Sequence, residues 1–294
     1  MASTPRRIPL PSGLGIHVVE WGAGETALDH TVVLLHGFLE NAWAWEETVE
    51  SGLAGRFHVV SVDLRGHGDS DRVGVGGNYH FPDYLGDLHE LIPRVRRRRL
   101  SLVGHSMGGF LAGFYAGVSS EVLERLVIME GTGLPGKGPW DDPLRERVTR
   151  WLRRRAEVQE RPQNSYANVA EAAARLQRID PTLRPGLAQR LAERGTRPGP
   201  DGRVRFKHDP RLTVGVVSDF DLEQAGAIWS EITCPVLIIE GERSGIRLPE
   251  DQARRRWSAF RQYRSIVLPD AGHMMQRDQP QALARHLAQF LGEP

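Results

Sequence analysis

The chain has 294 residues, 40% of them hydrophobic, which is enough to bury the core of one large domain with an insertion. Its 38 Lys and Arg residues nearly balance 37 Asp and Glu residues, so the formal net charge of +1 gives no global field that would favour nucleic acid or an anionic membrane. The single cysteine, Cys234, excludes an internal disulfide framework, and no run reaches the roughly 18 apolar residues of a membrane span, so we expect a cytoplasmic protein.

The first predicted elements are two strands. GIHVVEWG (residues 15–22) predicts a strand, and the proline-containing RRIPLPSG before it predicts an edge partner, because edge strands tolerate proline. Six runs of Val, Ile and Leu follow, each ending in polar or small residues: TVVLLHG, FHVVSVDLRG, RLSLVGHS, RLVIMEG, PVLIIEG and RSIVLPDAGH. Such runs are typical of buried parallel strands with polar groups at their C-terminal ends. Amphipathic segments between them predict helices on both faces, so the expected fold class is α/β with a mostly parallel central sheet.

This alternation breaks between residues 133 and 230. The interval contains three amphipathic stretches that predict helices: DDPLRERVTRWLRRRAEVQ, YANVAEAAARLQRI and PGLAQRLAERG. Asp141 or Asp142 is the expected N-cap of the first helix, and Pro143 is expected in its first turn. We therefore predict a core formed by residues 1–132 and 231–294, with a helical cap of residues 133–230 over the strand ends.

GHSMG (residues 104–108) is the motif that first suggests chemistry. It matches Gly-X-Ser-X-Gly, with a predicted strand before it and a predicted helix after it. In that setting the serine, Ser106, lies on a sharp turn where the two glycines relieve crowding, and the helix N-terminus favours a developing negative charge. The pentapeptide alone is equally compatible with an ordinary glycine-rich turn, so the rest of the chain has to decide.

A serine nucleophile needs a base, and His273 is the best candidate. It follows the last apolar run in LPDAGHMMQRDQP, so we expect it at the same edge of the sheet as Ser106. The alternative is a loop histidine with a structural role. The other histidines lie within turns or helices and show no paired ligand spacing, so no metal site is predicted.

The oxyanion of an acyl transfer requires two backbone N–H donors. One is expected from Met107, which follows the nucleophile, and the other from Phe38 in the loop of LLHGFLENAWAW. Gly37 lets this loop turn back beside the site, and His36 is expected to brace it. HGF and GHSMG together, in this order, are more specific than either motif alone.

The order of LLHGF, DLRGHGDSD, LVGHSMGG and AGHMM resembles that of α/β-hydrolase-fold serine hydrolases over nearly the whole chain outside the cap. More narrowly, LHGFLENAWAWE and the cap segment LAERGTRPGPDGRVRFKHDPRL are similar to the serine hydrolase-like subgroup. The resemblance implies a nucleophile, a base and an acid, with no cofactor. Dehalogenases and epoxide hydrolases of this fold use an aspartate nucleophile, and the serine at position 106 disfavours both activities.

The chain departs from the family at the acid. Many members place an aspartate three residues after the glycine that ends the strand PVLIIEG, and this sequence has Ser244 there. We favour Glu130, at the end of RLVIME, because some hydrolases of this fold draw their acid from that position and a glutamate stem can span to His273. Glu242, Asp270 or no acid at all are the alternatives, as is a solvated Glu130 paired with a cap arginine.

Tryptophans and arginines are less specific signals. Trp43, Trp140 and Met274 are the expected lining of an apolar substrate pocket, although each can equally pack cap against core. The runs RVRRRR (residues 94–99) and RWLRRR (residues 150–155) suggest an anionic partner, but we interpret them as solvated helix surfaces.

The favoured hypothesis is a serine esterase. Ser106 attacks, His273 transfers the proton, Glu130 orients the imidazole, and the partner is a small or medium-sized ester. The same triad acting on a C–C, lactone or amide bond is the second hypothesis. A ligand-binding protein of this fold without turnover is the third, and the oligomeric state is not predicted.

Overall fold

The structure, a computed structural model, describes residues 1–136, 142–161, 163–215, 217 and 221–293. Its strands in chain order are β1 (Ser3–Pro9), β2 (Gly15–Trp21), β3 (His30–Leu35), β4 (His58–Val62), β5 (Arg99–His105), β6 (Arg125–Met129), β7 (Thr196–Pro198), β8 (Val204–Phe206), β9 (Val236–Gly241) and β10 (Tyr263–Leu268). Eight of them form one sheet in the order β1-β2-β4-β3-β5-β6-β9-β10. Only the β1–β2 and β2–β4 pairs of this sheet are antiparallel, which confirms the predicted mostly parallel sheet and its N-terminal edge strand.

Helices cover both faces of this sheet, as predicted. They are α1 (Glu46–Glu50), α2 (Phe81–Val95), α3 (Met107–Val118), α4 (Leu144–Glu160), α5 (Val169–Ile179), α6 (Pro185–Gly195), α7 (Leu222–Trp229), α8 (Glu250–Trp257), α9 (Met275–Asp278) and α10 (Pro280–Gly292). Alternate residues of the central strands point to opposite faces, so the sheet builds two hydrophobic clusters. One packs against α2, α3, α7 and α8, and the other against α1, α9 and α10. In the part of the chain that is described, no helix is both long and apolar enough to span a membrane.

The last predicted strand differs from the expectation. RSIVLP was expected to be a buried strand, but five of the six residues of β10 are partly or fully exposed. The reason is its place at the edge of the sheet, where β9 is its only strand neighbour. Its C-terminal end nevertheless lies at the same edge of the sheet as the ends of β5 and β6, because β5, β6, β9 and β10 pair in parallel.

The interval between β6 and β9 contains more than helices. Helices α5 and α6 form a small hydrophobic cluster of their own, and β7 and β8 form a separate two-stranded antiparallel sheet. Helix α7, inside the predicted cap, packs instead against α3 through the buried Trp229. The limits of the cap remain a prediction. The prediction for the start of α4 is wrong at two residues, because Pro143 is the N-cap: Pro143 was expected in the first turn and Asp142 at the N-cap. Asp141, the other predicted N-cap residue, lies outside the described residues.

Candidate active site

Ser106 lies at the junction of β5 and α3. Its backbone has φ of 53° and ψ of −118°, a conformation that L residues rarely adopt, and its N–H donates to the carbonyl of Met129 over 2.8 Å. A Cβ on Gly104 would lie 2.2 Å from the carbonyl oxygen of Gly108, and one on Gly108 would lie 2.5 Å from that of Leu35. Both positions therefore require glycine for the turn to hold Ser106 in this conformation.

His273 and Glu130 are in direct contact. Nδ1 of His273 lies 2.6 Å from Oε2 of Glu130. Because a carboxylate only accepts, Nδ1 carries the hydrogen of this bond, and the neutral ring keeps its lone pair on Nε2. The Glu130 side chain is 2% exposed and the His273 side chain 31% exposed, so the carboxylate is buried behind a partly accessible imidazole.

Three groups donate to the Glu130 carboxylate. Besides His273, the backbone N–H of Gly241 donates to Oε1 over 2.8 Å, and the hydroxyl of Ser244 donates to Oε2 over 2.7 Å. Burial raises the pKa of Glu130, but hydrogen bonds from His273, Gly241 and Ser244 outweigh burial and lower the pKa below its ordinary value. The serine that stands in the usual acid position thus donates a hydrogen bond to the carboxylate on the neighbouring strand.

Glu242, the alternative acid, makes a different hydrogen bond. Oε2 of Glu242 accepts from the backbone N–H of Asp270 over 3.0 Å, on an exposed part of the surface. Asp270 itself pairs with Arg243, and both side chains are largely exposed. Of the three candidate carboxylates, Glu130, Glu242 and Asp270, the one that bonds to His273 is that of Glu130.

The loop after β3 approaches the start of α3. Within it, the N–H of Gly37 donates to Oε2 of Glu40 over 2.9 Å, and the N–H of Glu40 donates to the carbonyl of Gly37 over 3.2 Å. His36 braces the loop because its Nε2 accepts from the N–H of Leu64 over 3.1 Å. Phe38 and Met107 line the same cavity as Ser106. Met107 is the first residue of α3, and the first hydrogen bonds of this helix run from the N–H groups of Gly109 and Phe110 to the carbonyl of Ser106. The N–H of Met107 therefore precedes the hydrogen-bonded turns of the helix.

A buried polar cluster that sequence reasoning missed joins these loops. Oε2 of Glu40 lies 3.0 Å from Nδ1 of His105, and Nε2 of His105 lies 2.8 Å from the carbonyl oxygen of His273. Arg277 donates to Oε1 of Glu40 over 2.6 Å. Burial raises the pKa of Glu40, but the charge of Arg277 and the hydrogen bond with His105 lower the pKa far below its ordinary value. The only sequence signal was a glutamate three residues after Gly37.

The sequence and the fold were compared with those of known proteins. The sequence model of the alpha/beta hydrolase family matches residues 32–286. The chain belongs to the alpha/beta hydrolase family. A serine hydrolase-like protein of Danio rerio is 25% identical over 296 residues, which are 99% of this chain and 89% of that protein. Epoxide hydrolase 3 of Xenopus tropicalis is 26% identical over 96% of this chain and 76% of that protein.

A solved structure supports the same assignment. The thioesterase domain from the curacin biosynthetic pathway matches with a TM-score of 0.84 and 27% identity, over 98% of this chain and 99% of that chain. The predicted fold and the resemblance to serine hydrolase-like proteins are thereby confirmed for this alpha/beta hydrolase.

Above Ser106 the hydrolase has a cavity of about 900 Å³. Its core side is lined by aromatic rings and Met107. Its cap side is lined by helix α4, by the 3-10 helix Pro210–Val214 and by the segment that follows this 3-10 helix. The aromatic lining consists of Phe38, Tyr79, Phe81, Tyr84, Phe110 and Trp151. A cavity of this size and polarity fits a small or medium-sized organic ligand.

The predicted pocket residues need correction. Trp43 and Met274 are not among the described residues that line the cavity with Ser106. The ring of Trp43 packs edge-on against Trp21 and under the guanidinium of Arg194, 3.7 Å from the ring centroid, so it joins the cap to the core. Trp140, the third predicted residue, lies outside the described residues.

One residue of β2 and two of the turn after β4 form a cluster whose ligand atoms are close enough to hold a metal ion. His17, Asp63 and Asp69 bring one ligand atom each to within 4.8 Å of one another. The oxygens of Asp63, however, already accept from His17 and from the N–H groups of Ala42 and Asp69. These hydrogen bonds connect β2, the 3-10 helix Ala42–Trp45 and the turn after β4.

Proposed function

We propose that this hydrolase cleaves carboxylic esters through an acyl-enzyme on Ser106, with His273 as the base and Glu130 as the acid. The hydrogen bond of 2.6 Å between His273 and Glu130, next to a strained serine at the start of a helix, is the observation that carries the proposal. It leaves Nε2 of His273 as the acceptor for the serine proton.

In the first half-reaction, Oγ of Ser106 attacks the ester carbonyl while Nε2 of His273 takes its proton. The backbone N–H groups of Phe38 and Met107 are the proposed donors to the oxyanion, and Glu130 stabilises the imidazolium. His273 then returns the proton to the leaving alcohol as the C–O bond breaks. Water, activated by the same histidine, attacks the acyl-enzyme and releases the acid.

The names of the relatives do not agree on which bond is cleaved. Epoxide hydrolase 3 is the name of one relative, but the elbow of this chain holds a serine, whose ester intermediate is suited to acyl transfer. A thioesterase domain at 27% identity makes an acyl thioester the second bond to test. Lactones, amides and C–C bonds next to a carbonyl complete the set, because the same triad can act on each.

The test is turnover of p-nitrophenyl esters, acyl thioesters, lactones and amides by the wild-type chain and by Ser106→Ala. We expect hydrolysis of at least one ester by the wild type and a decrease in kcat of about 10³-fold or more in the variant. Ser101→Ala, a buried serine of the same strand β5, is the matched control and should retain turnover. Ester hydrolysis that survives Ser106→Ala would contradict the proposal.

A further inference from the structure

We propose that His105 is a positioning residue for the proposed triad, and that its doubly protonated ring holds the main chain of His273 beside Ser106. This role rests on the proposed function, because it concerns the alignment of the base with the nucleophile. His105 is the last residue of β5 and directly precedes Ser106. The residue before the nucleophile is therefore the one that contacts the base.

The loop that carries His273 needs a link to β5, because its own strand is distant. In the sheet, β6 and β9 lie between β5 and β10, so β10 is about 14 Å from β5 at the usual spacing of about 4.8 Å per strand. The loop after β10 reaches back across these strand ends. There Nε2 of His105 lies 2.8 Å from the carbonyl oxygen of His273, and the two ring centroids are 4.6 Å apart.

Both ring nitrogens of His105 face acceptors. The carbonyl of His273 only accepts, so Nε2 carries a hydrogen. Nδ1 lies 3.0 Å from Oε2 of Glu40, a carboxylate that also only accepts, so Nδ1 carries a second hydrogen. A neutral ring has one hydrogen and could make only one of the two bonds. The geometry therefore requires the charged ring of His105.

Glu40 is ionised and buried next to this ring. Burial raises the pKa of Glu40, but the charge of Arg277 and the hydrogen bond with His105 lower the pKa far below its ordinary value. The side chains of His105 and Glu40 are 1% and 5% exposed, so water screens their attraction little. A further titratable neighbour, His36, stays neutral because burial lowers its pKa.

Gln276 also approaches Nδ1 of His105, but its amide hydrogens have a better acceptor. Its Nε2 lies 3.3 Å from Nδ1, and 3.2 Å and 3.3 Å from the two oxygens of Glu40. The carboxylate oxygen is nearer to Nδ1 than the amide is, and a charged acceptor forms the stronger hydrogen bond. We therefore assign the hydrogens of Gln276 to Glu40 and the hydrogen between Glu40 and His105 to the ring.

The same carboxylate also fixes the loop after β3. Oε2 of Glu40 accepts from the N–H of Gly37 over 2.9 Å, and the next residue is Phe38, the proposed oxyanion donor. A Cβ on Gly37 would lie 2.7 Å from Oε2 of Glu40 and 2.9 Å from Nδ1 of His105, so a larger residue would press on both groups. The buried pair of His105 and Glu40 thus links the base to the proposed oxyanion donor.

NMR of protein with isotope-labelled histidine measures the charge state of His105. We expect two ring N–H signals from this residue at neutral pH, slow to exchange with water because the ring is buried. Both signals should be absent from His105→Gln, which assigns them. A single ring N–H signal would overturn the inference, because a neutral ring cannot donate to His273 and Glu40 together.

Kinetics with the ester that the wild type hydrolyses best measure the positioning role. His105→Met leaves no donor and should lower kcat by about 10- to 100-fold with KM within about twofold, because the base is misaligned and the pocket is intact. His105→Gln offers an amide N–H at the place of Nε2 and should recover part of the loss. A kcat of His105→Met within about twofold of the wild type would also overturn the inference.

His30→Met is the matched control for the loss of a buried imidazole. His30 is buried at the start of β3, where it pairs with Arg99 at the start of β5, whereas His105 ends β5. The control variant should keep kcat within about twofold of the wild type. An equal loss of kcat in His30→Met and His105→Met would show a general effect of core substitution and contradict the positioning role.

Failure of the proposed function gives a different result. Ester hydrolysis would then survive Ser106→Ala. The ring N–H signals of His105 depend on no substrate, so they would still decide whether the ring holds both partners.

Discussion

The carboxyl group of Glu130 is the proposed acid, and it lies on the strand next to the position where this fold usually places one. Hydrogen bonds from His273, Gly241 and Ser244 surround it, and its backbone adopts φ of 44°. This left-handed conformation is uncommon for a glutamate, and it brings the side chain back toward β9. Ser244 stabilises the charge of Glu130 without carrying one itself.

Replacing Glu130 by Gln should lower kcat/KM by about 10³- to 10⁴-fold, because the imidazolium formed in the reaction loses its anionic partner. The folded protein keeps Glu130 ionised to pH values below the ordinary carboxyl range, so its own protonation should not limit activity above about pH 5. The measurement is kcat/KM against pH for the ester that the wild type hydrolyses best.

Glu242→Gln is the control for this experiment. Its carboxylate bonds to the N–H of Asp270 at the surface, so the variant should stay within about twofold of the wild type. If Glu242→Gln lost activity while Glu130→Gln retained it, the assignment of the acid would be reversed.

At the residue scale, the sequence predicted those site residues that belong to short motifs or directly follow a predicted strand. Ser106 and His273 belong to short motifs, and Glu130 ends a strand next to the one that carries Ser106. Trp43 lies close in sequence to the predicted oxyanion loop. Its side chain nevertheless packs against Trp21 and Arg194 and does not line the cavity with Ser106. Nothing in the sequence encodes that direction before the strands are placed in register.

At the scale of elements, the turn between β5 and α3 controls the site. Helix α3 begins directly at Met107, and its backbone packs so closely that the Cα atom of Gly131 would lie 3.0 Å from a Cβ on Gly109. A shift of α3 would therefore move the end of β6 and, with it, Glu130. Close packing of two backbones is what the small residues of GHSMGG make possible.

Gly104→Ala should destabilise this turn. Its Cβ would overlap the carbonyl oxygen of Gly108, and backbone atoms cannot move away without shifting α3, so we expect a loss of about 1–3 kcal/mol in the free energy of unfolding and reduced ester turnover. Urea denaturation and kcat on the same samples measure both effects.

Gly86→Ala, in the exposed part of α2, is the matched substitution. It has open space around its Cβ and should stabilise the protein by about 0.5–1 kcal/mol, because alanine favours the helix. A Gly104→Ala variant as stable and active as the wild type would show that the turn tolerates a side chain.

Sequence patterns predicted the elements well where the period was regular. Alternating apolar runs and amphipathic segments gave the parallel sheet and its flanking helices. They did not reveal the short β7–β8 pair, whose three-residue strands are too brief for a period, or the exposure of β10, which depends on its position at the edge. They also did not predict that arginines of α4 line the cavity, because RWLRRR has the composition of a solvated helix.

At the scale of the whole molecule, buried histidines couple folding to pH. Burial lowers the pKa of His30 and of His58 to about 4, and that of His67 to about 3. In the unfolded chain these rings bind protons near pH 6.5, whereas the folded protein keeps them neutral. Unfolding therefore takes up protons below pH 6.5, and low pH favours the unfolded state.

We expect the free energy of unfolding to fall by several kcal/mol between pH 6.5 and pH 4, since one pKa unit corresponds to about 1.4 kcal/mol per group. Buried carboxylates with lowered pKa values, such as Glu40 and Asp63, add to this loss as the pH falls below the ordinary carboxyl pKa of about 4. Urea denaturation at a series of pH values measures the slope, which His58→Gln should reduce. A free energy of unfolding that stays constant from pH 6.5 to pH 4.5 would contradict this prediction.

The proposed activity depends above all on Ser106 being a nucleophile activated by His273 and Glu130. Its most direct test is intact-mass spectrometry after reaction with a fluorophosphonate, followed by peptide mapping. We expect one phosphonyl group per chain on Ser106, none on Ser106→Ala, and much slower labelling of Glu130→Gln. Labelling that persists in Ser106→Ala, or wild-type protein that does not react, would contradict it.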